Sequence, residues 1–154
     1  LEISDSGRRD VAELRRGEPW FAAALAAFER IWSDDATAAD WAAIKPLTRG
    51  RWDAANQAHA AQEASQKNAE AAAVYYSAGA LNAEATRSAL AHLKARVLLV
   101  AGEYDVALPP KCAAGYADLF RQHELTVQLG AGHYPWLDDP KSFVATVTSF
   151  LAAA

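Results

Sequence analysis

Arg96-Val97-Leu98-Leu99-Val100-Ala101 is the stretch on which the fold turns. A continuous apolar run of this length, with no polar residue alternating through it, predicts a strand covered on both faces, as in a parallel sheet. The turn Gly102-Glu103-Tyr104-Asp105 ends it. Pro109 and Pro110 then bound a helix with Ala113, Tyr116, Ala117 and Phe120 on one face, and Leu125-Thr126-Val127-Gln128-Leu129 forms the next strand. A strand, helix, strand succession predicts an α/β unit with parallel strands and a right-handed crossover. The tail, through Phe143, Val147, Phe150 and Leu151, has the spacing of an amphipathic helix that packs back on the sheet, with Asp138 and Asp139 as its caps. Two strands alone do not make a stable sheet. Burying residues 97–100 therefore calls for further strands alongside, and this sequence offers no others.

Upstream of residue 95 the signal is helical. Residues 7–93 are Ala-rich and contain no β-branched run. Phe21, Leu25, Phe28 and Trp32 fall at i, i+4, i+7 and i+11 with Ile31 beside them, an apolar stripe along one helix. Thr37, three residues before Asp40, reads as an N-terminal cap, with Trp41 and Ile44 on one face and Pro46 as the boundary. Residues 51–78 read as one long or two broken helices ending near Gly79, and Asn82 caps a last helix with Leu90 and Leu93 on its buried side.

Composition narrows the function classes. At 154 residues and 52% hydrophobic, the chain is long and apolar enough for one soluble globular core. A net charge of -4 with scattered Lys and Arg leaves no electrostatic footprint for nucleic acid or an anionic membrane. No signal peptide opens the sequence, and no apolar run approaches the roughly 20 residues of a membrane span. One cysteine, Cys112, forms no intrachain disulfide and reads as a small buried residue, so a reducing cytoplasm is the expected setting. His59, His92 and His123 are isolated from any ligand partner, and neither a metal nor an organic cofactor is called for. A chain that opens on Leu1 and contains no methionine is expected to be a piece of something longer.

An acid and a histidine each follow a buried strand. A carboxylate that orients an imidazole, and an imidazole that takes a proton from a nucleophile, are two parts of a hydrolytic triad. Asp105 and His133 are the candidates, with Glu103 a rival acid; Gly130 and Gly132 allow the tight turn that swings the imidazole over the sheet edge. Alone, either residue reads as an ordinary turn or loop residue. Val106 and Trp136 follow them and border the mouth of such a site, unless they serve in core packing. Trp20, Phe21, Trp52, Tyr75 and Tyr76 pack the helices or line an apolar pocket; Tyr75 and Tyr76 stand as substrate-binding candidates with Val106 and Trp136.

Residues 96–152, with Gly102-Glu103-Tyr104-Asp105 after one strand and Gly132-His133 after the next, resemble the C-terminal end of an α/β-hydrolase. Gly132-His133-Tyr134-Pro135-Trp136-Leu137-Asp138-Asp139-Pro140 is similar to the form in the proline-iminopeptidase-like, cap-bearing branch. The resemblance implies a helical cap over residues 1–94 and the last part of the hydrolase core over 95–154, with Asp105 as acid and His133 as base. It also implies a serine-type reaction on an ester, amide or aminoacyl small molecule. The family's nucleophile elbow, G-x-S-x-G, is not among the eight glycines here, so the nucleophile is expected on an N-terminal part of the same hydrolase, and the isolated chain is expected to be inactive. Recognition of a substrate's amino group would call on cap carboxylates such as Glu63, Glu70 or Glu84. An aspartate-nucleophile hydrolase of the dehalogenase or epoxide-hydrolase type, and a non-enzymatic interaction module, remain open alternatives.

Overall fold

The apolar stripe of residues 21–32 forms a helix whose contacts organise the N-terminal half. In a computed structural model that describes residues 5–33 and 35–153, α1 (Asp5–Glu13) is followed by α2 (Phe21–Trp32). The outer ends of the two expected regions, residues 1–4 and 154, lie outside the described residues. Phe21 and Phe28 are buried, and Phe28 stacks on Trp32 with ring centroids 4.5 Å apart. Ala12, Ala24, Ala27, Phe28, Ile44 and Leu47 form the core, and Val106 from beyond the first strand completes it. The helical region and the α/β unit therefore share packing.

Thr37 and Asp40 open α3 (Ala38–Ala43) with a capping box, and Asp40 also accepts from Arg30 Nε at 2.7 Å. Ile44 is buried, but Trp41 is 56% exposed, so the two do not share a covered face. The α-helix ends at Ala43, before Pro46, as the boundary predicted. Pro46 sits at the start of a 3-10 turn (Lys45–Thr48), where a missing N–H costs no hydrogen bond. Residues 51–78 break into α4 (Ala54–Gln66) and α5 (Ala69–Tyr75), capped by Asp53 and Asn68, and Asn82 caps α6 (Ala83–Ala91) by accepting from Ala85 N at 3.0 Å. α5 and α6 bury no residue, and Leu93 is exposed rather than on a buried side. Ala-rich helices offer little apolar side chain to bury, so their caps are their main local support.

Strands β1 (Val97–Gly102) and β2 (His123–Gln128) pair in parallel, Val97 opposite His123 and Gly102 opposite Gln128. The connecting helix α7 (Pro110–Ala117) buries Ala113 and Ala117 and leaves Tyr116 exposed. Among the described residues the sheet has these two strands, so residues 97–100 are half-buried rather than covered on both faces. β2 begins two residues before the predicted strand and stops short of Leu129, which is exposed. α8 (Pro135–Asp138) and α9 (Pro140–Ala152) complete a mixed α/β fold. Asp139 alone caps α9, accepting from Ser142 N at 3.0 Å; Asp138 is buried and engaged elsewhere. α9 meets β2 yet buries no residue. No helix of the described residues is long and apolar enough to cross a membrane.

Candidate active site

Parallel pairing sends the chain out of both strands at the same end of the sheet, so the loops after Gly102 and Gln128 emerge side by side. They are bound main chain to main chain: Glu103 N donates to Gln128 O at 3.1 Å and Tyr104 N to Ala131 O at 2.8 Å. Gly130 takes a positive φ of 71°, which lets the second loop turn back. A Cβ on Gly132 would lie 2.6 Å from the Thr48 carbonyl oxygen, so only glycine permits the approach of these segments. Glu103 is not the acid partner, because its carboxylate accepts from Gly130 N at 2.7 Å and braces the turn.

Asp105 and His133 meet. His133 Nδ1 lies 2.9 Å from Asp105 Oδ2, and Asp105 Oδ1 accepts from Ala107 N at 2.8 Å and Leu108 N at 3.0 Å. The carboxylate is thus buried and aimed. Because the carboxylate accepts, His133 Nδ1 carries the proton and Nε2 presents its lone pair. The histidine side chain is 46% exposed against 8% for its partner, so the pair has a wet end and a dry end. The hydrogen bond to Asp105 raises the imidazole pKa above its ordinary 6.5; burial works against this, and the charge of Asp105 adds to the rise.

The histidine loop is also held from the helical region. His133 N donates to Thr48 O at 2.8 Å. Arg15 donates to Arg49 O at 2.8 Å, and Asp138 Oδ2 accepts from both Gly50 N and Gly132 N at 2.8 Å. Asp138 therefore joins residues 48–50 to the histidine loop, a role that its position beside a helix start did not suggest. Thr48 carried no sequence signal because it contributes a main-chain carbonyl. Tyr134 also escaped the reading: its hydroxyl donates to Glu63 Oε1 at 2.9 Å, and the fully buried Arg49 guanidinium bonds the same oxygen.

Beside the pair runs an open, mostly apolar groove of about 530 Å³ between β1 and α9. Leu98, Val100, Phe143 and Val147 form its walls, with Asp105, His133 and Trp136 at one end. Trp136 lines the same groove as His133. Val106 does not: it is 1% exposed, packed in the core with Ala12, Phe28, Ile44 and Leu47. Tyr75 and Tyr76 are not brought to the groove either. They stand 71% and 82% exposed on and just after α5, which has no covering face. Among the described residues lining the groove there is no Ser, Thr or Cys, and none of the described His, Cys, Asp and Glu side chains cluster in threes as a metal site. Cys112 is half-buried at the start of α7. Compared with protein-family models, curated proteins and solved structures, the chain matches none.

Proposed function

We propose that this chain is the C-terminal part of a serine-type α/β-hydrolase, with residues 1–94 as helical cap, supplying Asp105 and His133 to a nucleophile on an N-terminal part of the same enzyme. The observation that carries the reading is the 2.9 Å bond between His133 Nδ1 and a buried, doubly braced Asp105, with the other edge of the imidazole half-exposed beside an apolar groove. In this arrangement Nε2 takes the proton of the attacking hydroxyl as the hydroxyl oxygen adds to the substrate carbonyl. Asp105 stabilises the resulting imidazolium, and His133 returns the proton to the leaving group. The same imidazole then activates the water that releases the acyl group. The apolar groove walls support a small or medium apolar ester, amide or aminoacyl substrate.

The half-buried state of residues 97–100 supports a partner that continues the sheet, since a two-stranded sheet is marginal by itself. The single cysteine supports a reducing cytoplasm as its compartment. The test is native mass spectrometry of material purified from its source, followed by fluorophosphonate labelling and ester-hydrolysis assays. A companion polypeptide that carries a G-x-S-x-G segment, labels on its serine and loses turnover in the His133→Ala variant is the expected result. A companion labelled on aspartate by a substrate-derived adduct, or near-normal turnover by His133→Ala, would overturn the serine-type reading.

A further inference from the structure

We propose that Glu63 acts on the histidine rather than on the substrate: through the Tyr134 hydroxyl it positions the His133 imidazole, and it is not a receptor for a substrate ammonium group. The inference rests on reading His133 as the base. Tyr134 follows His133 in the chain, and its ring stands edge-on to the imidazole, with centroids 5.4 Å apart and planes at 89°. That ring is clamped at its far end and on its face. Its hydroxyl donates to Glu63 Oε1 at 2.9 Å, and Arg49 Cζ lies 4.5 Å from its centroid. His59, one turn before Glu63 on α4, meets the same ring edge-on at 5.2 Å. Asp105 fixes one ring nitrogen of His133 and Thr48 its main-chain N–H, and the Tyr134 ring is a wall against which the half-exposed imidazole rests.

Oε1 of the carboxylate is taken twice over. Arg49 and Tyr134 bond Oε1, and Lys45 Nζ lies 3.7 Å from Oε2. A substrate's ammonium group would compete with Lys45 at Oε2 and, at Oε1, with a guanidinium that has no exposed surface and whose release would leave a buried charge without its partner. Burial opposes the ionised form of Glu63, yet the bonds from Arg49 and Tyr134 and the charges of Arg49 and Lys45 hold its pKa below the ordinary value. Glu70 and Glu84, the other carboxylates that a cap-borne ammonium site would use, are exposed to solvent on α5 and α6. The groups facing the histidine loop are thus Asp105 from the β1 loop, Arg49 beyond the 3-10 turn, Glu63 and His59 from α4, Tyr134 beside it, and the carboxylates of Glu103 and Asp138 on the N–H groups of Gly130 and Gly132.

Every member of this cluster lies in this chain, and the test is made on the protein in the form in which it is purified, with any companion polypeptide retained. The ring protons and nitrogens of His133 are followed by NMR through a pH titration in the parent chain, in Tyr134→Phe and Glu63→Gln, and in Glu70→Gln as control. The expected result is a downfield Nδ1–H resonance that persists in the parent and in Glu70→Gln. In Tyr134→Phe and Glu63→Gln it broadens through faster exchange, and in Glu63→Gln the titration midpoint also moves down, since Arg49 is left unopposed. Tyr134→Phe removes one hydroxyl and keeps the ring, so it reports even if Glu63→Gln fails to fold. An unchanged resonance in folded Tyr134→Phe would mean that the cluster merely fastens α4, and the proposal would fall. A saturable shift of the Glu63 carboxyl carbon on addition of L-prolinamide would also overturn it. Because these readouts are spectroscopic, they stand whether or not the assembled protein proves to be a hydrolase.

Discussion

The main-chain N–H of His133 donates to the carbonyl oxygen of Thr48 at 2.8 Å, which ties the candidate base to the helical region rather than to the sheet alone. A side chain that must swing between two proton partners works from a fixed pivot, and here the pivot is built from two distant parts of the sequence. The segment at residues 48–50 runs beside the histidine loop so closely that a methyl group on Gly132 would strike it. The helical region therefore helps to set where the histidine loop lies.

The pair should titrate as one device. His133 in the folded chain has a pKa raised above 6.5, first because its imidazolium bonds Asp105. A folded value above the unfolded one means that the protonated histidine adds stability, fully below about pH 6.5 and lost as pH rises through the raised value. We expect an NMR midpoint above 6.5 that falls in Asp105→Asn, and a urea midpoint that declines across the same range in the parent but not in His133→Ala.

In the proposed hydrolase the neutral imidazole would be the active form, so the acid limb of kcat/KM should follow that raised value. Asp105→Asn should lower kcat by about 10⁴, the order of magnitude for a triad histidine held in the wrong tautomer, with little change in thermal unfolding. Burst kinetics with an activated ester measure both steps.

Asp138 offers a test of how the loops are fastened. Its Oδ2 accepts from Gly50 N and Gly132 N, and Asp138→Ala leaves both N–H groups without that acceptor. The expected loss is about 2 kcal/mol or more in urea unfolding. Asp139→Ala removes only a cap at the start of α9 and should cost about 1 kcal/mol.

Acid should weaken the helical region through two carboxylates. Glu63 and Asp40 both have pKa values below the ordinary range. For Glu63, burial is outweighed by Arg49 and Tyr134; for Asp40, the bond from Arg30 dominates. A depressed folded pKa gives stability that is present above the unfolded value and lost as pH falls through the folded one. Urea midpoints should therefore drop as pH falls below about 4, and Glu63→Gln should flatten that dependence.

Local chemistry made much of this protein legible from its sequence. The apolar run at residues 97–100 predicted a parallel strand, and the spacing of Phe21, Leu25, Phe28 and Trp32 predicted a helix, because periodicity is a property of neighbours along the chain. Thr37, Asn82 and Asp139 were readable as caps because a cap bonds within three residues of itself. Asp105 and His133 were readable as a pair through their places after successive strands. What only the tertiary structure decided are the relations between distant segments. Val106 went into the helical core instead of the site mouth, Asp138 went to two loop N–H groups instead of a helix end, and Tyr75 and Tyr76 were left in solvent. The carbonyl of Thr48 and the carboxylate of Glu63 joined the histidine loop from the other half of the chain. Side-chain type constrains what a residue is able to bond, but which residue it meets depends on how the helices and strands pack, and that is settled by burial summed over the whole fold.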